Sequence, residues 1–121
     1  MSDRASAYLK LGSKQRDMMN ELRDPGPFED GLAACRLAVV LSLMCGGKEL
    51  ALEDAHNIYN RGTFDDEDNA LATAVIDLTG TDAADVYPKM SRMANWGVTA
   101  IHEALRGNDI SIHRLLADIQ K

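Results

Sequence analysis

An all-α fold, five to six helices around one central apolar helix, follows from three features of this sequence. The chain has 121 residues, enough for one ordinary hydrophobic core and too few for two. Apolar residues recur at steps of three and four through the longer segments, the spacing that lines one face of a helix. A step of two, the mark of a half-buried strand, is nowhere convincing. Residues 1–121 are therefore read as a single helical domain, with 1–12 expected to be flexible.

Local punctuation places the helices. Ser13 is suited to cap a short helix through Arg23, with Met18, Met19 and Leu22 on one face, and Asp24-Pro25-Gly26-Pro27 stops it as a turn. From Phe28 to Cys45 nearly every face is apolar, with Leu32, Leu37, Val39, Val40, Leu41, Leu43 and Met44 among alanines, and Gly46-Gly47 ends the run as a helix C-cap does. This is the segment expected at the centre. Its apolar surface exceeds what one buried stripe needs, and oligomerisation is a natural use for the surplus. Residues 48–64 fit neither period cleanly and are read as a short helix between loops.

Asp65, Asp66, Glu67 and Asp68 then crowd the first turn of a helix, where carboxylates meet the positive end of its dipole. Leu71, Val75, Ile76 and Leu78 form its buried stripe, and Gly80 closes it. After Thr81 or Asp82, Val86, Met90, Met93, Ala94, Gly97, Ile101 and Leu105 recur at steps of three and four up to Gly107, with Pro88 in the first turns. Ile112, Leu115, Leu116 and Ile119 make a short final helix.

Hydrophobic residues at 45% and charged residues at 26% exclude wholesale disorder. The formal charge of -6 disfavours nonspecific attraction to DNA or to an anionic membrane. That charge is unevenly placed. Residues 49–85 hold ten acidic side chains and only Arg61 on the basic side, whereas both ends are faintly basic. Cys35 and Cys45 have neither zinc-site spacing nor nearby histidines, and a helix would hold them about 15 Å apart, so reduced, buried thiols are expected. Met1–Lys10 lacks the apolar core of a signal peptide, and Arg36 and Ser42 interrupt the longest apolar stretch. A cytoplasmic protein with no membrane segment is the expectation.

No catalytic set, cofactor motif or metal site is evident. The Asp65–Asp68 cluster offers oxygen ligands but departs from the calcium-loop pattern, lacking its glycine and terminal Glu. Helix-start charges are the ordinary reading, and an acidic partner-binding face the functional one. His56, His102 and His113 have no partners at ligand or triad spacing. Arg36 stands alone in the apolar helix, where a guanidinium needs an internal ion pair or serves as a cation offered to phosphate or a partner protein. Lys89, Arg92 and Arg106 lie on the polar side of the long helix and would form a basic patch if Arg36 joined them. Trp96, beside Gly97, is either a contact anchor or a lid on its own core.

Two stretches resemble a family. Phe28 to Gly46, with Cys35-Arg36-Leu37 and Leu41-Ser42-Leu43, looks like the central helix of the DndE-like and Dnd-associated proteins of prokaryotic DNA-phosphorothioation systems. Ala94-Asn95-Trp96-Gly97, followed by Ile101 and Leu105, is similar to the C-terminal helix of the Dnd-associated proteins. The resemblance implies a helical, self-associating accessory subunit of a DNA-modification or restriction system. Such subunits are implicated in binding nicked duplex DNA through basic surface residues, of which Arg36 alone carries across by motif. The acidity of the chain departs from a lysine-rich DNA clamp and suits a subunit that docks on basic, DNA-handling proteins. The rival expectation is an acidic, phage-type inhibitor that mimics nucleic acid and blocks a nuclease, with residues 49–85 carrying the role. An enzyme would have only the carboxylate cluster and isolated histidines to work with.

Overall fold

The computed structural model describes residues 8–23, 30–60, 64 and 70–106, apart from the side chains of Asn60 and Arg106. The described part is mostly helical, with a small antiparallel sheet that the all-α expectation lacked. In chain order the elements are β1 (Tyr8–Leu11), α1 (Ser13–Arg23), α2 (Gly31–Met44), β2 (His56–Asn60), α3 (Ala70–Thr79) and α4 (Val86–Arg106), the last entered through a 3-10 turn at Ala83–Asp85. Four α-helices are thus present among the described residues, against the five to six expected. The helix expected over 112–119 lies outside them.

The helix boundaries follow local chemistry. α1 spans the expected residues, but Gly12 rather than Ser13 stands at its N-cap, its carbonyl accepting from the Arg16 N–H at 2.9 Å. Asp30 caps α2 by accepting from the Ala33 N–H at 2.8 Å, filling one of the unsatisfied donors of the first turn. Gly46 has φ 91°, left-handed backbone that a side chain would oppose, and the Gly47 N–H returns to the Ser42 carbonyl at 2.7 Å. Ser42, the polar break in the apolar run, is fully buried and donates to the Lys48 carbonyl, fixing that turn.

Two expectations need correction. Of residues 48–64, expected as a short helix between loops, 48–60 hold no helix: β2 lies there at His56–Asn60 and pairs with β1. Tyr8–Leu11, within the segment expected to be flexible, is ordered strand. Leu9 and Leu11 point inward and are fully buried, whereas Tyr8 and Lys10 point outward, as the two-residue period requires. Leu9 pairs with Tyr59 and Lys10 with Asn57, which leaves Ile58 as the extra residue of a bulge.

The hub is α4 rather than α2. α4 packs on α2, β1, α1 and α3, and α2 is its most extensive partner. Much of the apolar surplus of α2 is used within the chain: Ala34, Cys35, Leu37, Ala38, Val39 and Leu41 are buried, and Arg36 and Met44 are exposed. α3 buries Ala72 and Val75, but Leu78, expected in its buried stripe, is 72% exposed. Among the described residues no helix is long and apolar enough to cross a membrane.

α2 and α4 cross at Ala38 and Gly97. A Cβ built on Gly97 would lie 2.3 Å from the Ala38 carbonyl oxygen and 2.6 Å from its Cα, so the backbones themselves are in contact there. Gly97→Ala must push apart the two most heavily packed helices. The expected loss is about 3 kcal/mol, the upper end of ordinary overpacking, read as a lowered urea midpoint. A midpoint within error of the unaltered chain would contradict this packing.

Candidate interaction surfaces

One face of α4 carries polar side chains at steps of four, Ser91, Asn95 and Thr99, and these hold the N-terminal segment in place. The Lys10 N–H donates to Ser91 Oγ at 2.9 Å, and the Gly12 N–H to Asn95 Oδ1 at 3.0 Å. Gln15 Nε2 donates to Thr99 Oγ1 at 3.2 Å. Asn95 is fully buried, and its Nδ2 also donates to the Leu50 and Ala51 carbonyls at 3.3 and 3.2 Å. Its amide therefore joins β1 and the 50–51 segment to α4 through three backbone groups. The step-of-four spacing of Ser91, Asn95 and Thr99 is visible in the sequence, but their partners at Lys10, Gly12 and Gln15 are not.

Beside this seam is a cleft of about 320 Å³, lined by Tyr8 and Lys10 of β1, Ala51 and Leu52, and Pro88, Ser91 and Arg92 of α4. Its walls are fixed by the Lys10 and Asn95 hydrogen bonds and by the Leu50 N–H, which donates to the Arg92 carbonyl at 3.0 Å. A second hollow, about 450 Å³, lies where the ends of α2 and α3 meet, between Leu43, Gly46, Gly47, Leu78, Thr79 and Lys89.

Of the basic residues that would form a patch if Arg36 joined them, two meet among the described side chains. Lys89 and Arg92 do come together, but on Glu49, whose carboxylate oxygens lie 2.6 Å from Lys89 Nζ and 2.6 Å from Arg92 Nε. Arg36 has a partner at position 64. Its residue is exposed rather than buried, and its Nε donates to the Phe64 carbonyl at 2.8 Å. Arg106 is the last residue of α4, and its side chain is outside the described set, as are Asp65, Asp66, Glu67, Asp68 and His113. Trp96 is half-buried and packs against the core, which leaves part of its indole at the surface.

The thiols differ from the expectation of two buried groups. Cys35 is buried, donates to Met19 Sδ at 3.4 Å, and is pushed up to about 12 by that burial, which keeps it a thiol. Cys45, at the end of α2, is exposed. His56 is half-buried, with Nδ1 3.4 Å from Arg16 Nη1 and Nε2 3.6 Å from the Asp54 carboxylate. His102 is buried with Nε2 3.2 Å from Glu21 Oε1. Among the described residues no three His, Cys, Asp or Glu side chains gather as a metal ion would require.

No protein-family model, curated protein or solved structure matches the chain.

Two predictions test these contacts. Asn95→Ala strands the buried Gly12 N–H and two carbonyls, with an expected loss of about 3 kcal/mol and faster hydrogen exchange at Gly12. Unchanged exchange at Gly12 would contradict the role given to the amide. Burial raises the Glu49 carboxyl, but hydrogen bonds and charge from Lys89 and Arg92 outweigh it and hold it below the usual value. A carboxyl depressed in the folded state adds stability that is present above the unfolded pKa of about 4.3, and loses it as pH falls through the folded value. Glu49→Gln should therefore show a shallower loss of Tm between about pH 5 and about pH 3 than the unaltered chain.

Proposed function

We propose that the protein is a non-enzymatic, oligomeric accessory subunit of a prokaryotic DNA-modification or restriction system of the phosphorothioation type, acting in the cytoplasm mainly through protein contacts. The observation that carries the protein-contact part is the surface where α2 and α3 end. Leu78, which lines the 450 Å³ hollow, is 72% exposed, Met44 at the end of α2 is 56% exposed, and Asp77, Asp82 and Asp85 are exposed in the stretch around Leu78. Apolar side chains in a polar rim are the composition of a contact surface rather than of a solvated face. Direct DNA contact is secondary in this reading, because Glu49 offsets part of the charge that Lys89 and Arg92 would bring to phosphate. The link to DNA modification rests on the resemblance of the α2 and α4 segments to the DndE-like and Dnd-associated proteins.

A second reading has its own support. Glu53, Asp54, Asp77, Asp82 and Asp85 are all exposed, and such carboxylates suit an acidic inhibitor that occupies the basic groove of a nuclease.

Light scattering at micromolar concentration tests the first reading. A defined oligomer is expected, with Leu78→Asp raising its dissociation constant at least about tenfold while the Tm stays close to that of the unaltered chain, since an exposed site tolerates the change. A strict monomer at every concentration would overturn the oligomeric subunit. Binding of that monomer to a basic nuclease, weakened by added salt, would favour the inhibitor.

A further inference from the structure

We propose that the 320 Å³ cleft between β1, the 51–52 segment and the start of α4 is a binding site for a small organic anion with an apolar body, of the aryl-carboxylate class. This site is separate from the hollow at the ends of α2 and α3, and the proposal does not depend on the protein-contact reading.

Three observations select this ligand. The first is shape: the volume lies at the lower end of small-molecule sites, which run from about 300 to about 1,000 Å³, so a single ring with a short chain fits and a cofactor-sized molecule does not. The second is lining. Tyr8, Leu52, Pro88 and Ala51 present mostly apolar surface, and Tyr8 is 39% exposed, leaving aromatic surface open to a guest. The third is charge. Both charged residues lining the cleft are cations, Lys10 and Arg92, one from the sheet and one from the helix. Glu49 occupies Arg92 at Nε, the inner nitrogen of a guanidinium whose donors fork in several directions. A carboxylate between Lys10 and Arg92 would gain two cationic partners while its ring displaces water from the apolar wall.

The site is also preformed. The Lys10 N–H is held by Ser91, the Leu50 N–H by the Arg92 carbonyl, and the Leu50 and Ala51 carbonyls by Asn95. Each wall is thereby tied to α4, and little ordering remains to oppose binding.

The test is a proton–nitrogen NMR titration of the full chain with 4-phenylbutyrate, and in parallel with the uncharged 4-phenylbutyramide. Saturable shifts are expected at the amides of Lys10, Leu52, Ser91 and Arg92, with affinity at least about tenfold weaker for the amide. Lys10→Gln, which leaves the backbone bond to Ser91 intact, is expected to weaken the carboxylate at least about tenfold and the amide hardly at all. Ala51→Phe fills the cleft from an exposed position and is expected to abolish both, with α2 and α3 amide positions unchanged as the check on folding. Absence of saturable shifts at millimolar ligand, equal affinity for acid and amide, or shifts centred outside the cleft would each overturn the proposal.

Discussion

A single carboxamide holds three segments of this structure together. Asn95 sits in the middle of α4, fully buried, and its side chain meets the backbone of Gly12 on one side and of Leu50 and Ala51 on the other. A buried amide with unmet hydrogen bonds is costly, and one that satisfies backbone groups also removes their desolvation penalty. The surrounding geometry depends on this arrangement. Ser91 and Thr99 extend it by one turn each way, so β1 and α1 are registered along α4 by a polar row rather than by apolar contact alone. Apolar packing can slide by part of a turn at small cost, whereas a hydrogen-bonded row has discrete registers. The other face of α4 achieves a comparable fixity by contact, at the point where Gly97 lets the backbone of α2 approach.

Charge is distributed to match. The cations of α4 are shared with the start of the acidic segment through Glu49, and both bonds cross from the helix to the 49–51 stretch that Asn95 also grips. The same stretch therefore receives buried polar, surface ionic and backbone restraints. The other described carboxylates of residues 49–85, Glu53, Asp54, Asp77, Asp82 and Asp85, are left exposed. These described carboxylates are thus open to solvent and contribute to long-range electrostatic effects, while Lys89 and Arg92 are partly committed to the fold.

Long periodic segments were legible in the sequence, and short or tertiary-dependent ones were not. The span of α1, the end of α2 at Gly46-Gly47 and the run of α4 from Val86 onward each have local causes, namely turn residues, caps and a repeating apolar step. β1 has only four residues, too few for alternation to stand out, and His56-Asn57-Ile58-Tyr59-Asn60 has little apolar content. Their pairing is imposed by what lies behind them, Ser91 and Asn95 for β1 above all, and no local window contains that information. The exposure of Leu78 and of Arg36 likewise depends on where neighbouring helices end. Of the candidate residues, Lys89 and Arg92 were found by helix face, but their partner Glu49 lies some forty positions away and was indistinguishable from the other acids of its segment.

The strand at Tyr8–Leu11 also has its cover far away in the chain. Tyr8–Leu11 is synthesised before every element it touches, yet its hydrogen-bonding partners stand at 56–60 and at Ser91, and Asn95 holds the Gly12 that follows it. Contacts that distant in sequence form later than the bonds within a single helix. Leu9 and Leu11 therefore gain their cover only when distant parts of the chain reach them. A nascent chain halted before α4 would display both leucines, an apolar surface open to aggregation until residues 86–106 are made.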